Sequence, residues 1–174
     1  CYNTSGGFLH TPLDQLLVNT SLSREKGIGG IKLKVGQPDC ALDIRRVEAV
    51  RKHLGDDFPL MVDANQQWDR PTAQRMCRIF EQFNLVWIEE PLDCYDNEGH
   101  AALAAQFDTP IATGEMLTSA AEHAELIRHR AADYVMPDAP RVGGITPFLK
   151  VAALAEHAGL MLAPHFAMEL HVHL

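Results

Sequence analysis

The sequence lacks the features that mark several classes of protein. Basic residues are outnumbered by acidic ones, 15 to 23, and the net charge is −8. No basic stripe is available to meet phosphates, so nucleic acid is not an expected partner. No apolar run reaches transmembrane length, and the first residues show no charged-then-apolar signal pattern. We therefore expect no membrane partner.

Cysteine is scarce, and glycine is not arranged in a nucleotide-binding pattern. The four cysteines, at positions 1, 40, 77 and 94, lie far apart without a CxxC pair. This spacing is typical of buried or incidental thiols in a cytoplasmic protein, rather than of a disulfide framework or a zinc site. The glycines of Gly27–Gly30 precede neither a lysine-serine pair nor a GxGxxG frame, so we interpret them as a flexible turn.

The sequence does contain a repeated unit, a short apolar run that ends in a chemically active residue. The run Leu85–Ile88 leads into Glu89, Glu90 and a proline, which is typical of a strand buried on both faces. Comparable runs are Ile31–Lys34, Pro59–Asp63, Pro110–Glu115, Tyr134–Asp138 and Leu160–His165. The active residues from 63 to 165 are separated by 26, 26, 23 and 27 positions, which is about the length of a strand, a helix and two loops.

Helical patterns fill the intervals between these runs. They cover Thr11–Lys26, Asp39–Leu54, Arg70–Phe83, Ser119–His129 and Ile145–Ala158. Parallel strands that alternate with helices form either an open doubly wound sheet or a closed (β/α) barrel. Functional residues at the ends of many strands favour the barrel, because an open sheet carries its chemistry only beside the switch point.

The chain is shorter than a complete barrel. It has 174 residues, whereas eight βα units need about 250. With residues 1–5 counted as a first strand, about seven strands are expected. We therefore predict an α/β fold, a TIM-like (β/α) barrel that is incomplete here. Residues 1–174 would form a single barrel-domain fragment, the C-terminal catalytic domain of a longer protein.

Three carboxylates stand at the ends of three consecutive predicted strands, on Asp63, Glu89 and Glu115. Neighbouring strands lie about 4.8 Å apart, so the three side chains can converge. One such carboxylate alone would be explained better by a structural role. Three at equal spacing, with no histidine or cysteine among them, favour Mg²⁺. Glu90 points to the opposite face by strand parity, and for it we expect a structural ion pair.

Two lysines end the strand that precedes these carboxylates. Lys32 and Lys34 are two positions apart and therefore face the same way. Two ammonium groups placed together near a dication lower each other's pKa, so a neutral lysine can act as a base. A KxK pair on its own is common on protein surfaces, and only its position in this array gives it a functional interpretation.

An aspartate and a histidine end the last two predicted strands. If Asp138 and His165 lie on neighbouring strands, the carboxylate can hold the imidazole Nδ1–H and leave Nε2 for proton transfer. A strand-end position favours this functional role over a structural one. His171 and His173 form an HxH pair, but they fall in a predicted helix, and we interpret them as surface or packing residues.

A metal with a lysine on one side and a histidine on the other defines a reaction class. The metal would chelate a carboxylate and stabilise the enediolate formed when the proton α to that carboxylate is removed. Return of the proton from the opposite face gives racemisation, whereas expulsion of a β-hydroxyl gives dehydration. A non-catalytic barrel is a third alternative, which the intact set of bases and carboxylates disfavours.

Six motifs follow one another along the chain. They are KLK at 32–34, VDAN at 62–65, WIEEP at 87–91, GE at 114–115, PDAPRVGG at 137–144 and APHFAMELHVHL at 163–174. Together they resemble the enolase superfamily, specifically its mandelate-racemase-like subgroup. Within it, the sequence looks most like the acid-sugar dehydratases, nearest to those of L-talarate and galactarate. The family's N-terminal capping domain, and an eighth strand that usually carries a substrate-binding glutamate, fall outside this chain.

This resemblance implies a set of site residues and an activity. The set comprises a Mg²⁺ site at Asp63, Glu89 and Glu115, a base at Lys34 with Lys32 beside the substrate carboxylate, an Asp138–His165 dyad, and Asn65 as a substrate contact. The implied activity is a Mg²⁺-dependent dehydratase, a hydro-lyase acting on a sugar acid or diacid in carbohydrate-acid catabolism. The alternative is a racemase or epimerase of a 2-hydroxy acid with the same bases. The full-length protein is expected to be a cytoplasmic homo-oligomer.

Overall fold

A computed structural model of the chain describes residues 1–4 and 7–174. In this part of the chain, parallel strands alternate with helices. The strands are β1 (Ile31–Lys34), β2 (Leu60–Asp63), β3 (Ile88–Glu89), β4 (Ile111–Thr113), β5 (Tyr134–Val135) and β6 (Met161–Leu162). The helices are α1 (Leu13–Glu25), α2 (Cys40–Leu54), α3 (Arg70–Phe80), α4 (Asn97–Gln106), α5 (Ala120–Arg128), α6 (Ile145–His157) and α7 (Met168–His171), and a 3₁₀ turn, Glu81–Phe83, follows α3. No helix in the described part is long and apolar enough to cross a membrane.

Side-chain caps fix where three of the helices begin. Asp39 accepts a hydrogen bond from the amide of Ala41 at the start of α2. Asp69 and Ser119 do the same for α3 and α5, through the amides of Thr72 and Glu122. These caps satisfy amides that have no partner inside the helix. They confirm the starts predicted for the helices that follow Asp39, Asp69 and Ser119.

The six strands follow one another in the sheet in chain order, from β1 to β6. The predicted first strand, residues 1–5, is a single parallel bridge between Asn3 and Ile31. The described residues therefore contain six strands and this bridge, where about seven strands were expected. The Asn3 amide donates to the carbonyl of Gly30, and the Asn3 carbonyl accepts from the amide of Lys32. Ser5, the last residue of that prediction, lies outside the described residues.

The chain divides into two compact units. The first contains residues 1–92 and 107–109, and the second contains residues 93–106 and 110–174. In the first unit, the core is formed by buried side chains of β1, β2, β3, α2 and α3, including Leu33, Leu60, Phe80 and Ile88. In the second, a cluster that includes Leu117, Leu126, Val135 and Val151 packs α5 and α6 on β5.

A buried arginine joins the end of α2 to the loops around it. The Arg51 guanidinium donates to the carbonyls of Gly55 and Phe58, each at 2.8 Å, and to those of Phe83 and Asn84, at 2.7 and 2.9 Å. Phe83 and Asn84 lie just before the apolar run that leads into β3. Arg51 thus holds in place the chain that enters β3 and carries Glu89.

We expect Arg51→Met to lower the free energy of unfolding by about 3 kcal/mol or more. Hydrogen bonds from a charged donor contribute about 1.5–3 kcal/mol, and the substitution removes the donor of four carbonyls, among them that of the buried Phe83. Urea denaturation measures the effect, with Arg45→Met as the control because Arg45 is exposed on the same helix. Equal midpoints for the two variants would contradict this role of Arg51.

Candidate metal and acid–base site

The first unit places two of the predicted carboxylates side by side. Asp63 ends β2 and Glu89 ends β3, and the two residues are paired in the parallel register of these strands. Both side chains are fully buried. Carboxylates without access to water require compensating donors or cations.

Both lysines of β1 supply such compensation. The Lys32 ammonium contacts Glu89 and lies 3.5 Å from Asp63 Oδ2, and the Lys34 ammonium contacts Asp63. Lys34 also pairs with Asp63 in the register of β1 and β2. The two lysines therefore face the carboxylates together, as strand parity predicted.

The protonation of Lys32 differs from the prediction. Burial on its own would lower the pKa of Lys32, but the negative charges of Glu89 and Asp63 outweigh it and raise that pKa above its ordinary value. The prediction rested on a second ammonium group and a nearby dication, whereas here the carboxylates make salt bridges with Lys32 directly. The contacts of Lys32 with Glu89 and Asp63 suit this side chain to bind acidic groups such as a substrate carboxylate.

The second unit contains the predicted dyad. The distance between His165 Nδ1 and Asp138 Oδ2 is 2.9 Å, and His165 Nε2 lies 3.4 Å from Glu115 Oε2. A carboxylate on Nδ1 orients the imidazole and leaves Nε2 to exchange a proton. Gly114, just before Glu115, has a φ of +126°, a conformation that side-chain-bearing residues rarely adopt. The GE motif therefore reflects a turn that directs the Glu115 side chain.

The three predicted metal ligands also satisfy a distance criterion for a common cation. One carboxylate oxygen from each of Asp63, Glu89 and Glu115 can be chosen so that the three atoms lie within 4.8 Å of one another, and all three residues are buried. Three hard oxygen donors without nitrogen or sulfur fit Mg²⁺, which takes carboxylates and keeps several positions for water or substrate.

The structure also shows the contacts or the exposure of the other residues that the sequence analysis discussed. The Asn65 backbone amide donates to Asp63 Oδ1 at 2.9 Å, so Asn65 contacts a predicted metal ligand through its main chain. The buried Glu90 accepts a hydrogen bond from the Gln66 side chain at 3.0 Å. His171 stacks on Phe148 with ring centroids 5.1 Å apart, which agrees with the packing role assigned to it. His173 is exposed.

One polar contact in the WIEEP motif was not predicted from the sequence. The indole N–H of Trp87 donates to Glu89 Oε2 at 2.8 Å, and both residues are buried. Trp87 had been counted only as part of an apolar run. Its position two residues before Glu89 on an extended strand places both side chains on one face, and this parity could have revealed the contact.

Comparisons with known proteins identify the family. Residues 18–174 match the family model described as enolase C-terminal domain-like. The chain is 74% identical over all 174 residues to L-talarate/galactarate dehydratase of Salmonella typhimurium (strain LT2), of which it covers 44%. It is 40% identical, over 97% of its length, to a 3,6-anhydro-alpha-L-galactonate cycloisomerase of Streptomyces coelicolor, of which it covers 47%. The chain thus spans about half the length of the curated relatives it matches.

A solved structure agrees with this assignment. The chain superimposes with a TM-score of 0.98 on the crystal structure of L-talarate dehydratase from Polaromonas sp. JS666 complexed with Mg and L-glucarate. The match has 88% identity and covers 99% of this chain and 48% of that one. The predicted fold class is confirmed, because the six parallel strands with alternating helices form an incomplete (β/α) barrel. The chain belongs to the enolase C-terminal domain-like family, within the enolase superfamily.

Proposed function

We propose that the full-length protein is a Mg²⁺-dependent dehydratase of a sugar acid or diacid, of the galactarate or talarate type. The observation that carries the proposal is the set of three buried carboxylates, on Asp63, Glu89 and Glu115, whose oxygens lie within 4.8 Å of one another. Bound by them, Mg²⁺ would hold the carboxylate of the substrate and stabilise the negative charge that develops when the adjacent C–H bond breaks.

The chain's own residues have distinct roles in this proposal. Lys34 removes the proton α to the carboxylate, and Lys32 stays charged and binds the substrate carboxylate. His165 is the second acid–base group, held by Asp138 so that Nε2 can deliver a proton to the departing β-hydroxyl. Asn65 contacts the substrate with its side chain while its amide supports Asp63. The geometry of His165 with Asp138, at 2.9 Å, supports the orientation that this step needs.

The choice of substrate rests on the relatives. The Salmonella protein, 74% identical, is named an L-talarate/galactarate dehydratase, and the Polaromonas structure holds Mg and L-glucarate. These names support the proposal that this protein also acts on an acid sugar of this class. Four free cysteines and the acidic composition support a cytoplasmic location, and a homo-oligomer of the full-length protein follows from the family resemblance alone.

A screen of the full-length protein against a library of sugar acids with Mg²⁺ tests the proposal. We expect formation of a 2-keto product from an acid sugar that has a hydroxyl β to the carboxylate, and we expect EDTA to stop it. The control is the same library without metal. If no member of the library loses water, dehydration is not the activity of this protein.

A racemase or epimerase would use the same bases, and solvent exchange separates it from a dehydratase. A 2-hydroxy acid without a β-hydroxyl is incubated with the protein in D₂O and Mg²⁺. With either enzyme the α proton is expected to exchange without loss of water, since this compound has no leaving group, and a racemase or epimerase is expected to invert the α carbon as well. Inversion of this compound at a rate that matches the best acid sugar would favour the epimerase.

A further inference from the structure

One of the proposed metal ligands, Glu89, is a member of a closed ring of four side chains. Trp87 donates to Glu89 Oε2 at 2.8 Å, while Lys32 contacts Glu89 Oε1. The Tyr2 ring packs edge-on against Trp87, with centroids 5.3 Å apart and an interplanar angle of 80°. The Lys32 ammonium lies 5.4 Å from the centroid of the same Tyr2 ring. Each member of this ring thus contacts two others.

The two donors to Glu89 differ in how they respond to a cation. The Lys32 ammonium carries a positive charge, so its contact with Glu89 is weakened when a dication approaches the same carboxylate. The indole N–H of Trp87 is neutral and donates at every pH, so its hydrogen bond can persist while Glu89 binds a metal. The edge-on contact with Tyr2 holds the indole plane, and burial removes water as a competing partner.

We infer that Trp87 is a positioning residue of the metal site, which fixes the orientation of the Glu89 carboxylate through its indole N–H. This inference rests on the proposed Mg²⁺ site. Mg²⁺ requires near-octahedral geometry with ligands at about 2.1 Å, so a carboxylate that turns freely binds it less well. Partners that orient metal ligands typically account for about 10–100-fold in metal affinity.

The chain contains a matched control for the test. Trp68 is also buried, but its indole N–H has no hydrogen-bond partner among the residues that the structure describes. Trp87→Phe and Trp68→Phe therefore remove the same atoms from two buried sites, and only the first removes a donor to a carboxylate. Differences between the two variants report on the hydrogen bond to Glu89 rather than on loss of indole packing.

Calorimetric titration of the full-length protein with Mg²⁺ measures the effect. We expect Trp87→Phe to weaken binding by about 10–100-fold, and Trp68→Phe to leave the Kd within about twofold. Turnover of Trp87→Phe at low Mg²⁺ should recover when the Mg²⁺ concentration is raised, which a general packing defect would not allow. Equal Kd values for the two variants would overturn the inference while leaving the metal site intact, and no binding by the unaltered protein would overturn both.

A second measurement covers the case in which Trp87→Phe does not fold. In the Trp68→Phe variant, Trp87 is the one tryptophan left in these 174 residues, which contain two. Its emission should change as Mg²⁺ saturates the site, because its N–H is bonded to a ligand of the metal. Emission that stays constant while calorimetry shows binding would contradict the positioning role.

Discussion

Replacing either Lys34 or His165 with alanine is expected to lower turnover of the full-length protein by about 10²–10⁴-fold, the usual contribution of a general acid or base. In the proposed mechanism, each of these two residues transfers a proton, and no neighbouring residue is assigned the same step. Lys34 lies against Asp63, and His165 is held by Asp138 at 2.9 Å. Both variants should keep their fold and still bind Mg²⁺, since neither side chain is a proposed metal ligand.

Exposed residues of the same type provide the controls for these two variants. Lys52 lies on the surface of α2, and His157 is the exposed last residue of α6. Lys52→Ala and His157→Ala should retain nearly full turnover. If Lys34→Ala or His165→Ala also retains near-normal rates, with circular dichroism showing the same fold, its assignment as an acid–base group fails.

The second large effect concerns the metal. Glu89→Gln should weaken Mg²⁺ binding by more than about 100-fold, because residues that merely orient the ligands already account for 10–100-fold. The amide has nearly the shape of the carboxylate but carries no charge, and Mg²⁺ prefers charged oxygen ligands. Turnover should then fall to the level seen in the presence of EDTA.

A carboxylate outside the site provides the comparison. Glu48 is exposed on α2, and Glu48→Gln should leave both the Kd for Mg²⁺ and turnover unchanged. Calorimetry on Glu89→Gln and Glu48→Gln measures the difference directly. Tight Mg²⁺ binding by Glu89→Gln would show that the metal lies elsewhere, and the set of three carboxylates would then need another explanation.

The order of elements in this fold could be largely predicted because its strands are short, apolar and regularly spaced. Helix α4 (Asn97–Gln106) was not predicted. Its buried positions include Gly99 and His100 beside Leu103, so they do not form the apolar stripe that identifies an amphipathic helix. Burial of His100 lowers its pKa and so favours the neutral imidazole. This burial depends on the tertiary structure, so the pattern of polar and apolar residues in the sequence does not reveal it.

The sequence predicts which residues of the candidate site lie at strand ends, but it does not predict which side chains contact one another. Strand parity and equal spacing place the carboxylates, lysines and dyad at strand ends. The same pattern does not specify that Lys32 bonds to Glu89, which reverses the expected direction of its pKa shift. The contacts of Arg51 could not be predicted either, because its four carbonyl partners belong to turns and loops whose path depends on the complete fold.

In the proposed function, the full-length protein uses Mg²⁺ at this site to remove a proton α to a carboxylate and to eliminate water. The most direct test of this function is proton NMR of the full-length protein with galactarate and L-talarate, with Mg²⁺, after EDTA, and after Mg²⁺ is restored. The proposal predicts a 2-keto product that forms with Mg²⁺, stops with EDTA and resumes with added metal. Product formation that persists in EDTA, or its absence with both acids under saturating Mg²⁺, would contradict the proposal.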